Sequence, residues 1–299
     1  MKNKYIILTL LVLSTLALGA NMDSAIWGKE LVPNILNYDK EGSLHLGQYF
    51  TLLQSGYFKL IFFGVLVGVP ALFLVHYLII GPMIFSHDRK KIYVFTLFNR
   101  IIHTIAGIAF MILIPTGLII MFGATLGGGE LVRVAKEIHA ISTLLFIVSI
   151  IPMFTMWVRW MFVHWDDFKW LMIVGGYLNK NKKPVPAGKF NAGQKLWFWL
   201  ATLGGVVMIA TGAAMYFQDF RLEILVELGI SQIDFLRGSA IIHNILGMAV
   251  LGLFMTHVYM SVFAIKGAIH SIITGYKEEE EVEVLHSTFY KKLKKQNKI

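Results

Sequence analysis

Cysteine is absent from this chain of 299 residues, and its absence excludes several kinds of site. No disulfide can form, and side chains of this chain can hold neither an iron–sulfur cluster nor a Cys-ligated zinc ion. Covalent haem attachment through a C-x-x-C-H motif is excluded for the same reason. Histidine, present ten times, is therefore the main residue type left for binding a transition metal.

Charged residues are also scarce, at 15% of the chain, whereas hydrophobic residues make up 56% and the mean hydropathy is +0.65. This composition is typical of a polytopic membrane protein rather than a soluble domain. The net charge of +9 could suggest nucleic acid as a partner. The basic residues flank apolar segments, however, which is the pattern of membrane orientation, so nucleic acid is not expected.

The N-terminal residues 1–20 combine a basic start, an apolar run and a small-residue end. This pattern predicts a secretory signal peptide with cleavage near Gly19 or Ala20, and an uncleaved anchor is the alternative. The mixed, polar residues 21–56 are then predicted to form a short periplasmic segment with some amphipathic helix.

Five apolar segments have the length of a membrane span. They are 57–82, 98–122, 137–161, 196–217 and 239–266. The predicted fold is an all-α integral membrane protein, a five-helix transmembrane bundle. With the N-terminus outside, the larger share of the Lys and Arg residues falls on the inside, which predicts a multi-pass protein of the bacterial inner membrane with a periplasmic N-terminus and a cytoplasmic C-terminus. Residues 271–299 are predicted to be a solvated, charged cytoplasmic tail.

The last apolar segment carries two histidines, His243 and His257, fourteen residues apart. A helix would place them about 21 Å apart along its axis and nearly on the same side. Ionisable side chains inside a membrane helix are costly and normally mark function. Each of the two histidines therefore needs a partner at its own depth.

Depth supplies those partners. The second apolar segment enters the membrane from the inside, so its His103 is predicted to lie at the level of His257. The third segment enters from the outside, so its His139 is predicted to lie at the level of His243. A pair of imidazoles in an apolar, cysteine-free bundle is the ligand set of b-type haem. Two bis-histidine sites are therefore expected, one near each face.

Small and basic residues near these histidines fit the same interpretation. Gly107 and Gly247 each follow a histidine by four residues and could leave room for a flat macrocycle, although close helix packing also explains such glycines. Basic residues near each site could pair with haem propionates: Arg100 at the inner site, and Arg133, Lys136 or Arg237 at the outer site. They could equally be ordinary anchors that flank membrane spans. The remaining histidines receive ordinary roles: His76 without a partner at its depth, His164 at the interface, and His45, His87, His270 and His286 in loops or the tail.

The motifs carry a specific resemblance. Residues 95–275 resemble the gamma subunit of respiratory formate dehydrogenase, a di-haem cytochrome b. The matching stretches are Asn99–Gly107, Glu137–Ile141, Gly188–Trp199, Ile241–Gly247 and Thr256–Gly267. Related two-haem cytochromes of hydrogenases and other molybdenum oxidoreductases share the haem arrangement, so they stay as alternatives.

The resemblance implies a four-helix di-haem domain over 95–270, with 57–82 as an extra helix. It implies that His103 and His257 ligate the inner haem, and that His139 and His243 ligate the outer haem. It also implies a menaquinone site beside the inner haem, formed by Asn191, Gly193, Gln194 and His257. The structural alternative for Asn191 is the N-cap of the following helix.

The function implied is an electron-transfer subunit that contains two haem b groups and no catalytic residue for formate. Its implied partners are an iron–sulfur (beta) subunit and a molybdenum- or tungsten-containing (alpha) subunit, together with quinone, membrane lipid and a higher oligomer of the complex. A haem-free membrane anchor or transporter is the competing class. The near absence of carboxylates from the last four apolar segments argues against a proton-coupled transporter.

Overall fold

The structure is a computed structural model and describes residues 44–299. The predicted signal peptide and the greater part of the predicted exported segment, residues 21–43, lie outside the described residues. In chain order the elements are α1 (Gly47–Ile79), β1 (Lys91–Tyr93), α2 (Leu97–Met121), α3 (Gly129–Trp160), α4 (Trp165–Met172), α5 (Ala192–Tyr216), α6 (Glu223–Glu227), α7 (Gln232–Ala264), α8 (His270–Ile273), β2 (Tyr276–Glu278), α9 (Glu279–Leu285) and α10 (Ser287–Lys295).

Five of these helices, α1, α2, α3, α5 and α7, are long and apolar enough to cross a membrane. The predicted helical membrane fold is thereby confirmed. All five begin before the predicted apolar run, α2 by one residue and the others by four to ten, because a helix continues through polar residues until its first N–H groups find caps. For α7 the cap is Ser231, whose hydroxyl lies 3.3 Å from the N–H of Asp234 and donates to the Asp234 carboxylate at 3.0 Å.

The segment 47–56 is helical, in agreement with the amphipathic helix predicted within residues 21–56. The structure joins it to the first span in one helix, α1, which runs from Gly47 and contains a π-helical turn at Leu53–Tyr57. Contacts with a distant residue hold the start of this helix. Leu44 and Leu46, just before α1, donate backbone N–H groups to the carboxylate of Asp234 at 2.7 and 3.4 Å.

Two short strands interrupt the otherwise helical chain. β1 pairs antiparallel with β2, with Lys91 opposite Glu278 and Tyr93 opposite Tyr276. The all-α prediction missed them because three-residue strands are too short to show an alternating pattern.

The chain divides into two compact units. Among the described residues, the first unit comprises 44–60, Met111–Ser142 and Thr211–Ile242, and the second comprises Ile61–Phe110, Thr143–Ala210 and His243–Ile299. Within the first unit, the Tyr216 hydroxyl donates to the carboxylate of Glu137 at 3.1 Å. Asp234, which accepts the N–H groups of Leu44 and Leu46, is only 1% exposed.

The second unit contains two apolar cores. One joins Ile102, Ala106, Met153, Trp157, Phe190 and Phe198 with Val282 and Tyr290. The other joins Phe85, Trp170, Tyr177 and Val185 with Val284 and Leu285. Residues of the C-terminal 271–299 therefore belong to both cores.

This packing corrects the prediction of a solvated tail. Val282 is fully buried and Leu285 is 2% exposed. They lie three residues apart on α9, and Phe289 and Leu293, which pack partly buried against the first core, lie four residues apart on α10, so each short helix has an apolar stripe. The abundant Glu and Lys residues of the tail concealed these stripes. Its acidic side chains are themselves paired, Glu280 with Lys182 at 2.8 Å and Glu283 with Arg89 at 2.6 Å.

Candidate cofactor site

The structure brings His103 of α2 and His257 of α7 together within the second unit. Their ring centroids lie 6.0 Å apart with 48° between the ring planes. Neither imidazole forms a hydrogen bond with any residue in the 44–299 range. Depth predicted this proximity from the sequence, and their role as ligands stays a prediction.

The separation fits one metal ion between the rings. A metal–imidazole bond is about 2 Å long, and an imidazole ring with bonds of about 1.3 Å has a radius of about 1.1 Å. Two axial imidazoles therefore have ring centres about 6 Å apart. Zinc normally recruits further ligands, and the described part of the chain holds no group of three or more metal-binding side chains. Haem supplies the equatorial ligands itself, so two imidazoles suffice.

Aromatic side chains surround the inner histidine pair. Trp197 stacks on His257, with centroids 5.8 Å apart and 21° between the planes. Phe110 and Phe254 pack against Trp197 at 5.3 and 6.1 Å. These rings exclude water from one side of the pair, as a b-type haem pocket requires.

Two buried donors near His103 have no partner in the described chain, Trp157 Nε1 and Arg100 Nε. The Trp157 ring lies 6.4 Å from the His103 ring, and Arg100 is one turn before His103 on α2. A buried donor without an acceptor is costly, so such donors indicate a missing acceptor group. The acidic propionates of a haem supply acceptors of this kind, which supports the predicted role of Arg100.

The two glycines predicted to make room for a macrocycle differ. A Cβ on Gly107 would meet no atom within 4 Å, so there is open space beside α2 one turn after His103. A Cβ on Gly247 would lie 3.3 Å from the Phe62 ring of α1. Gly107 thus fits the macrocycle interpretation, whereas Gly247 serves close packing of two helices.

His139 lies in the first unit and is oriented by Thr116 of α2. The Thr116 hydroxyl donates to the Ile112 carbonyl at 2.7 Å, and its oxygen lies 2.9 Å from His139 Nδ1. The hydroxyl proton is engaged by this carbonyl, so His139 Nδ1 donates to the Thr116 oxygen and Nε2 is the unprotonated ring nitrogen. Gly117 leaves room for this ring, since a Cβ there would lie 3.4 Å from His139 Cε1.

His243, the predicted partner of His139, lies on α7 in the second unit. The outer pair therefore stays a prediction from depth and resemblance. The inner pair, by contrast, lies wholly within the second unit.

The predicted quinone residues lie at the start of α5. The Gln194 backbone N–H donates to Asn191 Oδ1 and the Asn191 N–H donates to Gln194 Oε1, each at 3.0 Å. This capping box confirms the N-cap interpretation. Both amide oxygens are used, but the two NH₂ groups donate to no residue in the described range and could donate to a quinone carbonyl. Gly193 accommodates the Trp170 ring, which a Cβ would approach to 3.3 Å.

Two histidines predicted to have ordinary roles are well bonded. His76 was predicted to be an ordinary packing residue without a histidine partner at its depth, and its hydrogen bonds fit that role: its Nδ1 lies 2.6 Å from the Tyr259 hydroxyl and its Nε2 lies 2.8 Å from the Tyr177 carbonyl. His286 is 3% exposed and donates from Nδ1 to the Gly188 carbonyl at 2.8 Å. Burial, assisted by the nearby Lys277 ammonium, lowers the pKa of His286 to about 3.

Sequence reasoning missed Thr116, Trp157 and Trp197. Threonine and tryptophan are common in membrane helices, so nothing in their spacing distinguished them before the helices were packed.

Five membrane-spanning helices with two closely spaced imidazoles define the class of a b-type membrane cytochrome. Residues 94–275, more than half of the chain, match the prokaryotic cytochrome b561 family, and all four predicted ligand histidines fall within them. The chain belongs to the prokaryotic cytochrome b561 family. A cytochrome b family implies haem b, and together with the five spans it fits a bacterial inner-membrane protein.

Similar proteins confirm the resemblance seen in the motifs. The chain is 26% identical over 220 residues to the "Formate dehydrogenase, nitrate-inducible, cytochrome b556(Fdn) subunit" of Escherichia coli (strain K12), covering 70% of this chain and 94% of that protein. It is 26% identical over 203 residues to the "Formate dehydrogenase, cytochrome b556 subunit" of Haemophilus influenzae, covering 64% and 79%. It is 22% identical over 213 residues to the "Formate dehydrogenase, cytochrome b556(fdo) subunit" of E. coli K12, covering 69% and 95%.

Proposed function

We propose that this chain is the membrane cytochrome b subunit of a respiratory formate dehydrogenase and carries electrons from an iron–sulfur subunit to menaquinone. The observation that carries the proposal is the His103–His257 pair, whose ring centroids lie 6.0 Å apart and whose imidazoles form no hydrogen bond with residues 44–299, as expected of two ligands of one metal. The similar proteins are formate dehydrogenase subunits, which supports formate dehydrogenase as the enzyme complex to which this chain belongs.

Two haem b groups, when bound, supply carriers that each take one electron at a time. His103 and His257 hold one of them, with Arg100 and Trp157 as donors to its acidic groups. His139 and His243 hold the other, and Thr116 fixes the tautomer of His139. The spacing of fourteen residues from His243 to His257 separates these two histidines by about 21 Å along α7.

Menaquinone binds beside the inner pair in this proposal. Asn191 and Gln194 offer NH₂ groups for a quinone carbonyl, Gly193 keeps the start of α5 compact, and His257 completes the site. The chain contributes no residue to formate oxidation, which belongs to the molybdenum- or tungsten-containing alpha subunit, so the protein is a quinone-reducing subunit of an oxidoreductase complex.

The proposed orientation places the N-terminus in the periplasm and the C-terminus in the cytoplasm. Its support is the distribution of Lys and Arg residues around the spans. Protons for menaquinol then come from the cytoplasm while formate oxidation releases protons outside. Charge separation follows from the location of the two half-reactions and needs no proton channel.

Purification with partner subunits tests this function. Expected results are reduced-minus-oxidised b-type bands, two haems per chain in a pyridine haemochrome assay, and formate-dependent reduction of a menaquinone analogue. Colourless protein would reject the cytochrome and favour a haem-free anchor or transporter. Co-purification with a hydrogenase large subunit, without formate activity, would identify the chain as a hydrogenase cytochrome b subunit. That result would not contradict the proposed haem sites.

A further inference from the structure

Three cations of the second unit surround one indole ring, that of Trp160. Arg159 Cζ lies 5.3 Å from the ring centroid, Lys292 Nζ lies 5.6 Å from it and Lys189 Nζ lies 5.8 Å from it. These residues come from the end of α3, from α10 and from the segment before α5. The tail therefore brings a basic side chain to two others that are distant in sequence.

No carboxylate neutralises this group. Within residues 44–299, none of the three cations lies within 4.0 Å of an Asp or Glu oxygen, whereas Lys182 and Lys195 each form such a pair. Lys189 donates to the Val94 carbonyl at 3.0 Å, and a carbonyl does not cancel its charge. Burial and the neighbouring Arg159 lower the pKa of Lys189. Cation–π contact offsets only part of this repulsion, so the cluster favours an anion.

The cluster lies at the end of a membrane span. Trp160 is the last residue of α3, and tryptophan is enriched where hydrocarbon meets headgroups. Phe162, two residues further on, is 63% exposed and its ring lies 6.0 Å from that of Trp199. An apolar surface therefore adjoins the three positive charges at the level where phospholipid phosphates lie.

We propose that Arg159, Lys189 and Lys292 bind the phosphate of an anionic phospholipid, whose acyl chains lie against Phe162. A lipid is favoured over free phosphate because charge and exposed apolar surface adjoin each other at the membrane boundary. The proposal is independent of the redox partner, since it uses none of the histidines or quinone residues.

Native mass spectrometry of the detergent-solubilised protein tests this site. Phosphatidylglycerol, phosphatidylcholine and inorganic phosphate are titrated separately against wild type, Arg159→Gln, Lys292→Gln and the double variant. Arg159 and Lys292 are exposed, so folding should tolerate both changes. The matched control is Lys295→Gln, an exposed lysine of α10 that makes no cation–π contact with Trp160 in the described part of the chain. Haem content per chain verifies that each variant is folded.

Wild type is expected to retain phosphatidylglycerol over phosphatidylcholine, with a loss of about fivefold in affinity for each removed cation and no change in the control. Equal binding of phosphatidylglycerol and phosphatidylcholine would overturn the proposal. Equal binding by wild type and the folded double variant would also overturn it. Binding of inorganic phosphate without a preference for phosphatidylglycerol would show an anion site that is not a lipid site.

Discussion

The two units position their histidines by different physical means. In the second unit, side-chain packing positions His103 and His257, because neither ring has a hydrogen bond to residues 44–299 and both lie among aromatic side chains. In the first unit, one hydroxyl, that of Thr116, sets the tautomer of His139. The position of the first pair of rings depends on the integrity of a large core, whereas the orientation of His139 depends on polar contacts, among them the one with Thr116.

The largest expected effect comes from removing an inner imidazole. His103→Ala should remove one haem and leave the other, so that the pyridine haemochrome assay gives about half the wild-type haem per chain. His139→Ala should remove the complementary haem. His270→Ala, at an exposed position on α8, is the control and should leave both. Loss of both haems from folded His103→Ala protein would mean that the two sites are not independent.

The contribution of the tail to the second unit can be tested at Leu285, which is 2% exposed in the second core. Leu285→Ala should lower the free energy of unfolding by about 3 kcal/mol, because it leaves a cavity in a packed core. The measurement is unfolding in detergent, with the exposed Lys298→Ala as control. An unfolding transition unchanged by Leu285→Ala would instead support the solvated tail that was predicted from the sequence.

His286 should make the second unit sensitive to acid. Its pKa is about 3 in the folded protein and about 6.5 when unfolded, so between these values the unfolded chain binds more protons. Stability is therefore lost as pH falls below about 6.5, by about 2 kcal/mol at pH 5.

The variant His286→Asn keeps a donor for the Gly188 carbonyl but does not titrate. Its unfolding free energy should fall less between pH 7.5 and pH 5 than that of wild type, whereas the exposed control His270→Asn should follow wild type. Identical pH dependence in wild type and His286→Asn would show that another group causes the acid sensitivity.

The smallest effect is expected in the first unit. Thr116→Val preserves shape but removes the acceptor for His139 Nδ1, and loss of such an outer contact should weaken haem retention at His139 by about tenfold. The readout is the rate of haem loss to apomyoglobin. Thr155→Val is the control, because that hydroxyl contacts only carbonyls of its own helix. If haem loss were unchanged, packing rather than Thr116 would position His139.

The membrane spans and the proximity of His103 and His257 could be predicted from the sequence for a simple reason. Membrane thickness fixes helix length, and helix geometry fixes depth, so His103 and His257 could be placed at one level without any packing information. The tail shows the limit of this reasoning. Its apolar stripe is diluted by Glu and Lys residues, and only the matching cores of the second unit reveal that Val282 and Leu285 are buried.

By itself, the sequence determined that this is a cysteine-free helical membrane protein with four histidines at membrane depth. Those properties follow from composition and from the rise of a helix. The tertiary structure decided which rings meet, that Thr116 orients His139, that His76 contacts Tyr259, and that Arg159, Lys189 and Lys292 share one indole ring. Such contacts join residues far apart in the chain, and they depend on side-chain packing that no local pattern encodes.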